Sequence, residues 1–157
     1  MCTVSFVSSN GKTIITSNRD EKVLRPSAIE PKNYQINTKN VFFPKDPKAG
    51  GTWVANNETK IIVLLNGAQE KHIPKPNYRK SRGLIVLDLM TAEKTLDCWK
   101  TIDLTDIEPF TIVLVENNKL TQLQWNEVEK STTEFDAKQF HIWSSSTLYP
   151  KEIRAKR

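Results

Sequence analysis

No apolar run in this chain approaches the roughly 18 residues needed to cross a bilayer as a helix. The longest, Ile61 to Leu65, has the length of a buried strand. The start of the chain shows no basic stretch and no extended apolar core, so the reading is of a protein without a secretion signal, in a reducing cytosol. Cysteine is scarce at two residues, Cys2 and Cys98, which excludes a disulfide scaffold. The two histidines, His72 and His141, are too far apart for a familiar metal spacing, so no metal is expected. Only five glycines occur and none builds a phosphate-cradling loop, so no nucleotide cofactor is expected either. Internal repeats, low-complexity tracts and a second domain are also absent.

What remains is globular. The chain has 157 residues, enough for one domain with a real core, and 38% of them are hydrophobic. Four tryptophans and six phenylalanines argue against disorder. The net charge is +5, from 23 basic against 18 acidic residues. Lys71, Lys75, Arg79, Lys80 and Arg82 cluster in one stretch and read first as a solvated face. No RNA-binding or zinc-finger signature accompanies them, so nucleic acid ranks last among partners.

Alternation of Cys2, Val4 and Phe6 with Thr3 and Ser5 marks a strand. Asn10-Gly11 marks a tight hairpin, followed by a strand from Lys12 to Asn18. With a two-residue loop, paired positions sum to 21, so position 2 stands opposite Arg19 and Thr3 opposite Asn18. Residues 21–50 carry four prolines and read as a long excursion with little regular structure beyond Val41-Phe42-Phe43. Strands are expected at 52–55 and 60–65. Helical spacing follows from Leu84 to Ile102, with Thr91 as a cap between two helices. A hairpin at 110–125, a strand at 140–144 and a terminal helix from Pro150 complete the pattern. Strands, then helices, then strands point to an α+β fold of antiparallel sheets with flanking helices.

Cys2 carries the candidate chemistry. Loss of Met1 would put a thiol and an α-amine on one residue, and that amine is basic enough to accept the thiol proton. Arg19 would lower the thiol pKa and hold an anionic substrate group, while Asp20 would orient the ammonium. The plain alternative is that Cys2 begins an inward-facing strand. Cys98 reads as a small core residue.

Met1-Cys2 followed by Ser17-Asn18-Arg19-Asp20-Glu21 resembles the signature of the NRDE family, the transport and Golgi organisation protein 2-like proteins. Arg25-Pro26, Gly50-Gly51-Thr52-Trp53, Leu65-Asn66 and Ser81-Arg82-Gly83 match in order, covering most of residues 1–90. Beyond residue 100 the likeness rests on Trp143-Ser144-Ser145-Ser146-Thr147. The resemblance implies an N-terminal-nucleophile hydrolase-like fold, an αββα sandwich. It implies hydrolysis of a small non-peptide amide, with Cys2 as nucleophile and base and Arg19 and Asp20 beside it. Asn66 would donate to an oxyanion, and Asn18, Trp53 and Arg82 would bind substrate. Such an oxyanion donor is worth about 3–4 kcal/mol in other enzymes. The alternative it implies is a non-catalytic carrier or trafficking factor for an apolar anionic ligand such as haem. Family members commonly continue past the serine-rich strand, so the resemblance implies either a short member or an incomplete second half.

Overall fold

The computed structural model describes residues 2–19, 24–147 and 152, and at Cys2 the backbone alone. The expected helix from Pro150 lies outside the described residues except at Glu152. Ten strands and two helices occur among them. They are β1 (Cys2–Ser9), β2 (Lys12–Arg19), β3 (Ile29–Ile36), β4 (Lys39–Lys45), β5 (Val54–Asn56), β6 (Lys60–Asn66), α1 (Arg82–Thr91), α2 (Thr95–Thr101), β7 (Phe110–Glu116), β8 (Lys119–Trp125), β9 (Lys130–Phe135) and β10 (His141–Ser144). All pairings are antiparallel. One sheet has the order β10-β1-β2, the other β3-β4-β5-β6-β7-β8-β9.

Two hydrophobic clusters define the layers. Val4 and Phe6 of β1 pack with Val63 and Leu65 of β6, Val113 of β7 and Leu120 of β8, which joins the small sheet to one face of the large one. The other face carries Val41, Phe43, Ile62, Leu64, Ile112 and Leu114, and meets Ile85, Leu89 and Met90 of α1 and Trp99 of α2. Because β6 is covered on both faces, its sequence is an unbroken apolar run, not an alternating one. The described residues thus form small sheet, large sheet and helix layer. The α+β class with antiparallel sheets is the observed one; a fourth, helical layer is not among the described residues.

Three hairpins turn on two residues with positive φ: Asn10 at 52° with Gly11 at 72°, Asn37 at 45° with Thr38 at 69°, and Asn117 at 52° with Asn118 at 60°. Such turns match the right-handed twist of their strands. The turn at Asn37-Thr38 corrects the expectation of an irregular excursion: residues 21–50 contain a paired hairpin, β3 with β4. Proline is tolerated there because β3 is an edge strand and its register shifts between Ile29 and Lys32, around Pro31. Strand β9 was also not expected; Lys130–Phe135 is polar and mostly exposed, a second edge without a buried stripe. Thr91 is the last residue of α1, its hydroxyl donating to the carbonyls of Leu87 and Asp88, and Lys94 precedes α2 instead.

Candidate functional site

The β1–β2 register is as the two-residue loop requires: Cys2 pairs with Arg19, Thr3 with Asn18 and Val4 with Ser17. The Cys2 side chain and Asp20 lie outside the described residues. Arg19, at the end of β2, lines a cavity of about 330 Å³ together with Arg25, Asp46, Trp53, Asn66, Tyr78, Lys80, Arg82 and Glu108, among others. Three other sequence candidates, Trp53, Asn66 and Arg82, therefore stand around the same space as Arg19. Asn18 does not; it is exposed on β2 and is not among the lining residues.

Asp46 organises one side of the cavity. Its Oδ2 accepts from the Arg19 guanidinium at 3.2 Å and from Nε and a terminal nitrogen of Arg25 at 3.0 and 2.6 Å. Its Oδ1 accepts the backbone N–H groups of Lys48 and Ala49 at 2.9 and 3.0 Å. Burial alone would raise this carboxyl, but the bonds from Ala49, Arg25 and Lys48 outweigh it and hold the pKa below the ordinary 3.8. The Arg19 guanidinium also lies over the Trp53 ring, 4.1 Å from its centre. Arg19 is thus held by an anion on one side and an aromatic face on the other. Asp46 escaped the sequence reading because its role depends on two arginines at least 21 residues away. The local signal was the Asp46-Pro47 pair opening a turn, in which a carboxylate can accept the N–H two residues on.

The other side is built by α1 and the ends of β6 and β7. Arg82 donates to the Pro109 carbonyl at 3.1 Å and pairs with Glu108 at 2.9 Å. Glu108 also meets His72 Nε2 at 3.2 Å. Gly67 N–H donates to the same Pro109 carbonyl at 2.9 Å, which fixes the chain just past Asn66. Ser145 Oγ donates to the Asn66 carbonyl at 2.5 Å. Gly67 has φ +81°, a conformation L side chains rarely adopt, and an added Cβ would stand 2.1 Å from Ser146 Oγ, so a larger residue would be strained and would displace that hydroxyl. The Asn66-Gly67 pair is therefore a strand end locked against the serine-rich segment, and Asn66 lines the cavity. A second close approach seats α1, where a Cβ on Gly51 would lie 2.3 Å from the Gly83 carbonyl carbon. Here two backbones touch, and Thr52 N–H donates to Gly83 O at 3.2 Å.

The basic stretch separates into two roles. Lys80, paired with Asp88, and Arg82 line the cavity, while Lys75 pairs with Asp106 and Glu127, and Arg79 with Asp103, away from it. Cys98 is a free thiol in α2 against the helix-side core, and burial pushes its pKa up. Among the described residues no cluster of His, Cys, Asp and Glu could hold a metal ion. No described helix is long and apolar enough to cross a membrane.

A family model described as Transport and Golgi organisation 2 matches residues 1–157. The chain belongs to that family. No curated protein matches it. In this chain Arg19 joins the β2 end, Asp46 and Trp53 at the cavity wall.

Proposed function

We propose that this chain is a cysteine N-terminal-nucleophile hydrolase of a small non-peptide amide. The observation that supports the reading is the β1–β2 register, which pairs Cys2 with Arg19, and Arg19 lines a cavity together with Trp53, Asn66 and Arg82. Removal of Met1 frees the α-amine of Cys2, whose ordinary pKa near 7.7–8.0 leaves about a tenth or more as free base at neutral pH. The amine takes the thiol proton, and the sulfur attacks the amide carbon while the carbonyl electron pair moves onto oxygen. The Asn66 amide N–H stabilises that oxyanion. Collapse breaks the carbon–nitrogen bond, the ammonium returns its proton to the leaving amine, and a thioester remains. Water then adds with the amine as base, the carbon–sulfur bond breaks, the ammonium returns its proton to the Cys2 sulfur, and the acid product is released.

Arg19 lowers the thiol pKa through its charge, and Asp20 would orient the ammonium. Arg19 is itself immobilised by Asp46 and Trp53, which is what an electrostatic role requires, because an ordered charge needs no reorganisation during reaction. The test is release of primary amine from a panel of aryl- and alkyl-acyl amides by Met1-free protein. Turnover lost in Cys2→Ala is the expected result, and turnover retained in that variant refutes the reading.

A second reading, a carrier for an apolar anionic ligand such as haem, draws on the same lining, where Arg19 lies over Trp53 and Arg25 and Arg82 line the same space. Haem binding that persists in Cys2→Ala, with no amide turned over by the parent protein, favours the carrier.

A further inference from the structure

Strand β4 runs through Asn40-Val41-Phe42-Phe43, so its two neighbouring phenylalanines fall on opposite faces of the large sheet. Val41 and Phe43 enter the helix-side core at 0% and 1% exposure, whereas Phe42 keeps 42% of its surface open. On the Phe42 face, the cluster beneath the small sheet is built on β6, β7 and β8, with Val54 of β5 packed against it. None of its described members lies on β3 or β4. A single exposed apolar side chain is ordinary in itself. What sets Phe42 apart is its setting, an open depression of about 400 Å³ lined otherwise by Asn33, Asn40, Asn56, Asn57 and Glu58.

The register explains the grouping. Asn33 of β3, Phe42 of β4 and Asn56 of β5 are direct cross-strand partners. Such partners share a sheet face, with Cβ atoms about 4.5–5.5 Å apart. Asn40, two residues before Phe42, lies on that face as well. Amides therefore bracket the ring on three sides. Asn57 Oδ1 accepts the N–H groups of Thr59 and Lys60, each at 3.0 Å, which shapes the turn that carries Glu58. Asn33, Asn40, Asn56 and Glu58 are exposed, and their side chains have no hydrogen-bond or ion-pair partner among the described residues. Glu58 is the one charged residue in the described lining. The Arg19 cavity, which shares no lining residue with this depression, holds Arg19, Arg25, Lys80 and Arg82.

We infer that this depression binds a neutral saccharide. The ring face carries negative potential and takes the polarised C–H groups on one side of a pyranose. Each asparagine amide offers NH2 donors and a carbonyl acceptor, which suits a hydroxyl that both donates and accepts. Glu58 accepts from a further hydroxyl and disfavours an anionic sugar. Because the three amides are not bonded within the described protein, binding breaks no internal hydrogen bond. The depression lies beside the edge strand β3, so the ligand is either a single sugar or one residue of a longer glycan. The site is separate from Cys2 and its neighbouring cavity, and it does not depend on the hydrolase reading.

The probes are the methyl β-pyranosides of glucose, galactose, mannose and N-acetylglucosamine, with cellotriose, chitotriose and the acyclic polyol sorbitol. Each is titrated into isotope-labelled full-length protein and followed by backbone and side-chain amide NMR. At least one sugar should give saturable shifts in the NH2 groups of Asn33, Asn40 and Asn56, with millimolar affinity as an open site allows. Sorbitol, which has no ring face to lay on Phe42, should not. A trisaccharide bound about tenfold more tightly than its monomer identifies a glycan, and equal affinity identifies the single sugar. Phe42→Ala should weaken binding about tenfold or more, Phe42→Trp should retain it, and Asn56→Ala should weaken it about fivefold. Both side chains face solvent, so the rest of each spectrum should match the parent. No saturable shift with any of the sugars overturns the inference. So do sorbitol binding as well as the sugars, shifts centred on Arg19 and Trp53, or parental affinity in Phe42→Ala.

Discussion

Replacing Asp46 with asparagine keeps the shape of the side chain and removes its charge and one acceptor oxygen. Both oxygens are in use, Oδ2 by Arg19 and Arg25 and Oδ1 by the N–H groups of Lys48 and Ala49. Whichever way the amide turns, its NH2 opposes donors. Either two backbone bonds are lost or both guanidiniums lose their anion. Hydrogen bonds to a charged group are each worth about 1.5–3 kcal/mol net, so losing two would cost about 3–6. Arg19 and Arg25 retain 18% and 32% exposure, so water recovers part of that. The expected loss is about 2–3 kcal/mol, or about 5–10 °C in Tm for a domain of this size. Because the folded-state carboxyl pKa is lowered, its contribution is present in full above the ordinary value of 3.8 and fades as pH falls through the lower, folded one. Thermal melts of parent and Asp46→Asn across that acid range are the assay. The gap should be wide at neutral pH and close in acid. A variant within about 0.5 kcal/mol of the parent at neutral pH, with an unchanged acid limb, refutes the reasoning.

Three further outcomes follow from the packing. Gly51→Ala forces a Cβ against the Gly83 backbone and should cost about 1–3 kcal/mol by prising α1 from the sheet, read by urea denaturation. Lys60→Met should cost about 2–4 kcal/mol in the same assay. Lys60 Nζ meets the Leu89 and Ala92 carbonyls, Thr95 Oγ1 and Glu116 in a nearly closed site; methionine takes that donor from the two carbonyls and leaves Glu116 with the Thr95 hydroxyl but no cation. Thr38→Gly should raise stability by about 0.5–1 kcal/mol, since a β-branched residue holds φ 69° in an exposed turn; a loss would contradict that account.

The readable parts of the fold were those where one residue type settles a local geometry. Asn10-Gly11 set the β1–β2 loop length, and with it the pairing of Cys2 and Arg19. Ile61 to Leu65 announced a buried strand, and the order of strands and helices announced the class. Less was legible where a tertiary partner overrides the local signal. Pro31 and Pro44 made β3 and β4 look irregular, although an edge strand with a register shift accommodates Pro31. For the site, Arg19 was named from the hairpin register and Trp53, Asn66 and Arg82 from motif resemblance, and they share one cavity. Asp46 and Glu108 were not named, and His72 was considered only as a metal ligand, because each acts through a cation or carboxylate far away in the chain and none sits in a periodic pattern.

The reactivity of Cys2 is open to direct measurement by intact-mass and peptide-mapping mass spectrometry of the purified protein after exposure to a β-lactone electrophile. A single adduct on Cys2 of Met1-free chains is the predicted result, with Cys98 spared because burial keeps its thiol protonated and the adduct slowed by Arg19→Gln. An unlabelled Cys2 in protein that has lost Met1, or labelling that falls on Cys98 instead, would contradict it.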